Sequence, residues 1–192
     1  MNQRRAFARP AQGTRTGQEV AEVESRAKLA GHAVHPMLIT LPLGLLGTAV
    51  VFDIIRAFTD EADLAVASFY MLAAGIIGGL LAAVFGLWDW LAIPAGTRAK
   101  RVGLWHGVGN VVVVALFALS WLLRRGEDDY APSGLALWLG IIAVVLALVT
   151  AWLGGELVER LGVGVDEGAN LDAPSSLSGP ATTGRPPRTV ES

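Results

Sequence analysis

Residues 135–153 read LALWLGIIAVVLALVTAWL, nineteen residues without one ionisable side chain. As an α-helix rising 1.5 Å per residue, a segment of this length crosses most of a hydrocarbon core about 30 Å thick. A helix at the surface of a soluble bundle would need a polar face, and this segment has none. The segment therefore predicts a membrane-spanning helix.

Three other stretches share this character. Residues 70–88, YMLAAGIIGGLLAAVFGLW, carry no charge, and residues 36–55 and 103–123 contain Asp53 as their one formally charged side chain. The alternation of apolar and polar residues that a membrane β-barrel requires is absent. We predict an all-α, integral-membrane four-helix bundle. Its helices are placed at about 36–55, 64–87, 103–123 and 135–153.

The composition of the whole chain supports a membrane location. Of its 192 residues, 53% are apolar and 17% are charged, whereas soluble domains carry about 25% charged residues. The absence of cysteine excludes disulfides, thiolate metal ligands and thiol nucleophiles. A net charge of −2 argues against a nucleic-acid partner. No nucleophile–base pair is evident, so an enzyme is the least favoured class.

The positions of lysine and arginine predict the orientation. The segment before the first helix holds six of them, the loop between the second and third helices three, and the C-terminal tail three. The two remaining loops together hold three. Because basic residues are enriched on the cytoplasmic side, we expect both termini to be cytoplasmic.

The chain divides into three parts. Residues 1–30 are expected to form a cytoplasmic segment with a short amphipathic helix over 18–30, where apolar residues recur at helical spacing. Residues 31–161 form the transmembrane domain. Residues 162–192, rich in Pro, Ser, Thr and Gly, are expected to be a disordered cytoplasmic tail. Within the domain, Pro42 predicts a kink, and Gly75 with Gly79 predicts close helix packing.

Two histidines begin spans that start on the same side of the membrane. His35 precedes the first span and His106 lies near the start of the third, so the topology places them at one depth. Asp89 and Glu156 follow the second and fourth spans and reach the same layer, and Asn110 lies one turn deeper than His106. Ionisable residues at membrane depth are costly, which favours a functional role.

The spacing leaves three functions open. Two neutral imidazoles facing each other across a bundle suit the axial positions of a haem, with Asn110 and Asp89 as hydrogen-bonding partners that fix the imidazole tautomer. Alternatively, imidazole and carboxylate groups suit zinc, iron or manganese. The set for such a metal is His32, His35, His106 and Glu156, with Asp89 in the same layer. The same groups also suit proton or quinone handling.

Three segments resemble a known family. They are GHAVHPMLITLPLGLLGTAVVFDII (31–55), GLWDWLAIPAGTRAKRVGLWHGVGN (86–110) and AWLGGELVERLGVGVDEG (151–168). Over about residues 30–168 the chain resembles the predicted bacterial membrane proteins grouped as domain of unknown function 2231. The resemblance implies a four-helix protein of the bacterial inner membrane and brings no activity. Some relatives accompany Rieske-type or cytochrome domains, which implies a redox setting.

The chain departs from its relatives at one position. Relatives often have a histidine near the position of Leu161, which leaves His35 and His106 as the minimum pair. The favoured hypothesis is an electron-transfer subunit that binds haem b or another redox cofactor through this pair near the cytoplasmic face. Its expected partners are membrane lipid, a redox partner protein and further copies of the chain. The alternatives are a non-catalytic scaffold or partner subunit, and a metal or proton transport protein.

Overall fold

The computed structural model describes residues 23–181 and has four helices long and apolar enough to cross a membrane. The predicted four-helix membrane architecture is confirmed. Most helix ends lie one to five residues beyond the predicted ones, because the apolar runs mark only the part suited to lipid, whereas the third long helix ends at Leu123 as predicted. In chain order they are α1 Val34–Leu38, α2 Thr40–Thr59, α3 Ala62–Ala92, α4 Arg98–Leu123 and α5 Gly134–Gly155, with a 3-10 turn at Asp128–Tyr130 and a π-helical turn at Glu156–Arg160.

The helices pack as two antiparallel hairpins. Helix α2 packs mainly against α3, and α4 packs mainly against α5. We call residues 34–92 the first hairpin and residues 98–160 the second hairpin. Where the hairpins meet, side chains from all four long helices form the buried core, which consists of Leu46, Ala49, Val50, Leu72, Val113, Phe117 and Ala143.

A proline and two glycines shape the first hairpin. The helix is interrupted at Ile39, between α1 and α2. Pro42 explains this break, since a proline donates no hydrogen bond and its ring crowds the carbonyl of residue i−4. A Cβ on Gly75 would lie 2.7 Å from the Leu46 side chain, and one on Gly79 would lie 3.2 Å from Val114. These two glycines therefore let α3 approach both α2 and α4 closely.

The segment before the first helix differs from its prediction. Over residues 23–33 it forms an antiparallel pair of short strands, Lys28–Leu29 and His32–Ala33, instead of an amphipathic helix. The chain turns back between the strands at Ala30 and Gly31, both of which have positive φ. A helical pattern of apolar residues was overridden here by hydrogen bonds to other parts of the chain. Residues 1–22 and 182–192 lie outside the described residues.

The start of the predicted disordered tail also differs from its prediction. Val163 pairs with Val23 in a parallel bridge, and Lys28 Nζ lies 2.6 Å from Asp166 Oδ1. This hydrogen bond to Asp166 raises the pKa of Lys28, and the bond from Lys28 lowers the pKa of Glu24. The two terminal segments therefore pack on each other at the end of the bundle where α1 begins, which we call the histidine end.

Candidate functional site

His35 and His106 lie close together at the histidine end. Their ring centroids are 6.4 Å apart and their planes are nearly perpendicular, at 85°. His35 is in α1 of the first hairpin and His106 is in α4 of the second. The pair therefore spans the interface between the two hairpins.

Each imidazole is anchored inside its own hairpin. His35 Nδ1 lies 2.8 Å from the carbonyl oxygen of Ala82 in α3, and His106 Nδ1 lies 2.8 Å from the carbonyl oxygen of Thr150 in α5. A carbonyl oxygen can only accept a hydrogen bond, so both Nδ1 atoms carry the proton. In a neutral imidazole the lone pair is then on Nε2, which can accept a hydrogen bond or bind a metal.

A glycine beside each carbonyl makes room for the imidazole. A Cβ on Gly86 would lie 2.8 Å from His35 Cε1, and a Cβ on Gly154 would lie 3.0 Å from His106 Cε1. In each case the glycine is four residues after the residue whose carbonyl accepts the bond. Residues i and i+4 lie on one helix face, so a side chain at the glycine position would push the ring away from its acceptor.

Gly86→Ala is expected to destabilise the protein, because its methyl group would meet the His35 ring. Overpacking of this kind costs about 1–3 kcal/mol, against a helix-propensity gain of up to about 1 kcal/mol. Gly47→Ala is the matched control, since a Cβ there would meet nothing within 4 Å. Thermal unfolding in detergent would measure both variants. Equal stability of the two variants would contradict the close approach of His35 to α3.

Asn110 lies beside His106. Its Nδ2 donates to the His106 carbonyl oxygen at 2.9 Å and lies 3.2 Å from His106 Nε2. Its Oδ1 accepts a hydrogen bond from the Thr150 hydroxyl at 3.0 Å. Thr150 thus holds both His106, through its carbonyl, and Asn110, through its hydroxyl, and this fixes the orientation of the two side chains.

The structure places the other predicted site residues elsewhere. Asp89 accepts hydrogen bonds from the Ser25 hydroxyl and the Arg26 amide, each at 2.9 Å. It holds the N-terminal segment, and no hydrogen bond joins it to either histidine. Glu156 pairs with Arg98 at 2.7 Å, and His32 is exposed with its Nδ1 near the Ala30 carbonyl oxygen.

The predicted ligands of a metal are therefore not all neighbours. Within residues 23–181, no three histidine, aspartate or glutamate side chains come together as a metal-binding group. The histidine site consists of His35, His106 and Asn110.

A buried ion pair at the opposite end of the bundle was not predicted. Arg124 Nη1 and Nη2 donate to the two Asp53 carboxylate oxygens at 2.9 and 2.5 Å, and both side chains are 1% exposed. Arg124 also donates to the hydroxyls of Ser68 and Ser120, and Ser120 donates to the Ala136 carbonyl oxygen. The network thereby joins α2, α3, α4 and α5.

The sequence held one signal for this network. Asp53 is the one charged residue of its apolar run, and a carboxylate at that depth requires a partner. Arg124 directly follows the third apolar run, and it is one of the three basic residues that the orientation prediction places in the two remaining loops. Its guanidinium instead turns back into the bundle, where the bidentate geometry matches the carboxylate.

The fold and the site together define a four-helix, multi-pass membrane protein with a histidine pair near one end of the bundle. Residues 31–167 match the model of a family described as predicted membrane protein (DUF2231). The chain belongs to this family, as the resemblance in sequence indicated. The comparisons with curated proteins and with solved structures gave no match.

Proposed function

We propose that this protein is a membrane-embedded redox protein that binds haem b between His35 and His106. The proposal rests on the pair of imidazoles, each anchored through Nδ1 so that its lone pair is on Nε2. The Asn110 amide lies 3.2 Å from His106 Nε2 and would give up this contact to a bound metal. His35 from the first hairpin and His106 from the second would hold the iron of a bound haem.

The spacing of the rings also supports the proposal. The ring centroids of His35 and His106 are 6.4 Å apart. Because a metal–imidazole nitrogen bond is about 2 Å long, two imidazoles at this separation could both reach one metal ion.

The residues of this chain would orient the iron ligands. When bound, haem supplies one-electron chemistry. The carbonyls of Ala82 and Thr150 fix the tautomer of each histidine and raise the basicity of Nε2, as the outer partners of metal-bound histidines do. Asn110 can keep its hydrogen bond to the His106 carbonyl when Nε2 is coordinated.

The location of the pair supports electron exchange with a partner. His35 lies in the first turn of the first span and His106 lies in the third turn of the third span, so electrons would have no more than about three helical turns to cross to the membrane surface. With both termini cytoplasmic, as the basic residues predict, this surface faces the cytoplasm. The partner would be a soluble or membrane-bound redox protein.

An absorption spectrum tests this function. The full chain would be produced with ample haem supply, purified in detergent, and titrated with hemin. We expect a Soret band, and a reduced spectrum typical of six-coordinate, low-spin iron. Protein that stays colourless after both treatments would overturn the proposal. If elemental analysis of that protein then found zinc, iron or manganese at one ion per chain, the metal alternative would replace it.

A further inference from the structure

We infer that the two hairpins are repeats of one unit, and that Asp53 and Arg124 are positioning residues that hold His35 against His106. The role in cofactor binding rests on the proposed function. The repeat itself rests on the matching residue spacings, buried positions and contacts of the two hairpins, and does not depend on a cofactor. No repeat is evident in the sequence, because few aligned residues are identical.

The first helices of the two hairpins match by position. Asp53 follows His35 by eighteen residues, and Arg124 follows His106 by eighteen residues. Two of the buried residues between them, Leu46 and Ala49, correspond to the buried Phe117 and Ser120, whereas the counterparts of Val50 and Val113 are partly buried. Both ends of the first helix therefore have a counterpart in the second hairpin.

The second helices match as well. The carbonyls that accept from the histidines belong to Ala82 and Thr150, and each is followed four residues later by a glycine that contacts the imidazole. All the buried residues of α5 have a buried counterpart in α3 at one constant offset. The pairs are Ser68 with Ala136, Leu72 with Gly140, Gly75 with Ala143, and Ala82 with Thr150.

The contacts place a pseudo-two-fold axis between the hairpins. In a two-fold arrangement, residues that contact their own counterparts lie beside the axis. His35 lies beside its counterpart His106, and Asp53 contacts its counterpart Arg124. Both hairpins begin at the histidine end, so the axis runs along the bundle, as in parallel membrane repeats. A ligand between the histidines would therefore sit on this axis.

The ion pair explains how the hairpins are held in register. Two identical charged residues beside the axis would repel each other, and the chain instead has one acid and one base. The pair lies about 27 Å along the helices from the histidines, at 1.5 Å per residue. Because charge pairing and the bidentate geometry fix both distance and direction, the pair sets the relative position of the hairpins and thus the spacing of the histidines.

Exchanging the charges tests this inference. Arg124→Gln should let the two hairpins move apart. The exchange variant, Asp53→Arg with Arg124→Asp, should restore part of their wild-type relative position. Arg124 donates to the hydroxyls of Ser68 and Ser120. An arginine at position 53 would lack both acceptors, because the counterparts of Ser120 and Ser68 are Ala49 and Ala136, so we expect the restoration to be partial. Adding Ala49→Ser and Ala136→Ser to the exchange should complete it.

Two measurements report the outcome. Spin labels on Met37→Cys and Val108→Cys, counterparts that are about half exposed in a chain without cysteine, give the distance between the hairpins with no cofactor present. We expect a narrow distance distribution in the wild type, a broad one in Arg124→Gln, and a narrow one in the fourfold variant. The fraction of bound haem that is low-spin should be high in the wild type, low in Arg124→Gln and high again in the fourfold variant.

The two measurements separate the two proposals. If no haem binds but the distances follow this order, the proposed function fails and the positioning role stands. The positioning role is overturned if Arg124→Gln folds and has the wild-type distance distribution. It is also overturned if the distance distribution of the fourfold variant is as broad as that of Arg124→Gln.

Discussion

Arg124→Ala is expected to lower the free energy of unfolding by about 3–5 kcal/mol, because it leaves the Asp53 carboxylate buried without a counter-ion. Asp53 is 1% exposed, and Ser68 and Ser120 can supply only neutral hydrogen bonds. Arg125→Ala is the matched control, since Arg125 is the next residue, carries the same charge and is exposed. Its guanidinium lies over the Trp121 ring, 5.1 Å from the centroid, a contact worth about 0.5–1 kcal/mol at an exposed site, so its loss should cost much less than the loss of Arg124. Thermal and denaturant unfolding in detergent would compare the two variants.

A double variant tests whether the unpaired Asp53 carboxylate causes the loss of stability in Arg124→Ala. Replacing both members of a buried ion pair with apolar residues is often neutral or stabilising. Asp53→Leu with Arg124→Leu should therefore be more stable than Arg124→Ala. If Arg124→Ala were no less stable than Arg125→Ala, the buried pair would not exist in the folded protein.

His35→Ala and His106→Ala are each expected to abolish the low-spin haem spectrum, because six-coordinate iron needs both imidazoles. The two variants should have similar effects, since the histidines occupy equivalent positions in the two hairpins. His32→Ala is the matched control. His32 is three residues from His35 and exposed, so its removal should leave the spectrum unchanged.

A replacement that still ligates iron refines this prediction. His106→Met should retain haem, because methionine is also an axial ligand, and should raise the reduction potential relative to the wild type. Potentiometric titration would measure the change. A low-spin spectrum that survives in His35→Ala or His106→Ala would show that the iron is held elsewhere.

The architecture could be predicted because lipid imposes a simple rule. Uncharged runs of about 20 residues have one stable conformation across a bilayer, so the four helices followed from the sequence. The common depth of His35 and His106 followed from the topology, since both begin helices that start on the same side. The partners of their Nδ1 atoms did not follow, because main-chain carbonyls carry no residue-specific signal.

The remaining features depend on contacts between distant parts of the chain. The Asp53–Arg124 pair joins two hairpins, and only the packing of α2 against its neighbours brings the residues together. Asp89 was predicted to support the histidines from its depth alone, but the N-terminal segment reaches it first through Ser25 and Arg26. The predicted helix over 18–30 failed over its described part because those bonds favour an extended backbone.

We propose that His35 and His106 bind one iron between the two hairpins. The most direct test is electron paramagnetic resonance of the oxidised, haem-loaded protein with ¹⁵N-labelled histidine. We expect a low-spin ferric signal with hyperfine coupling to one nitrogen from each histidine. In His106→Ala the low-spin signal and one of the two couplings should be lost. A high-spin signal from the wild type, or coupling to a single histidine nitrogen, would contradict binding by both histidines.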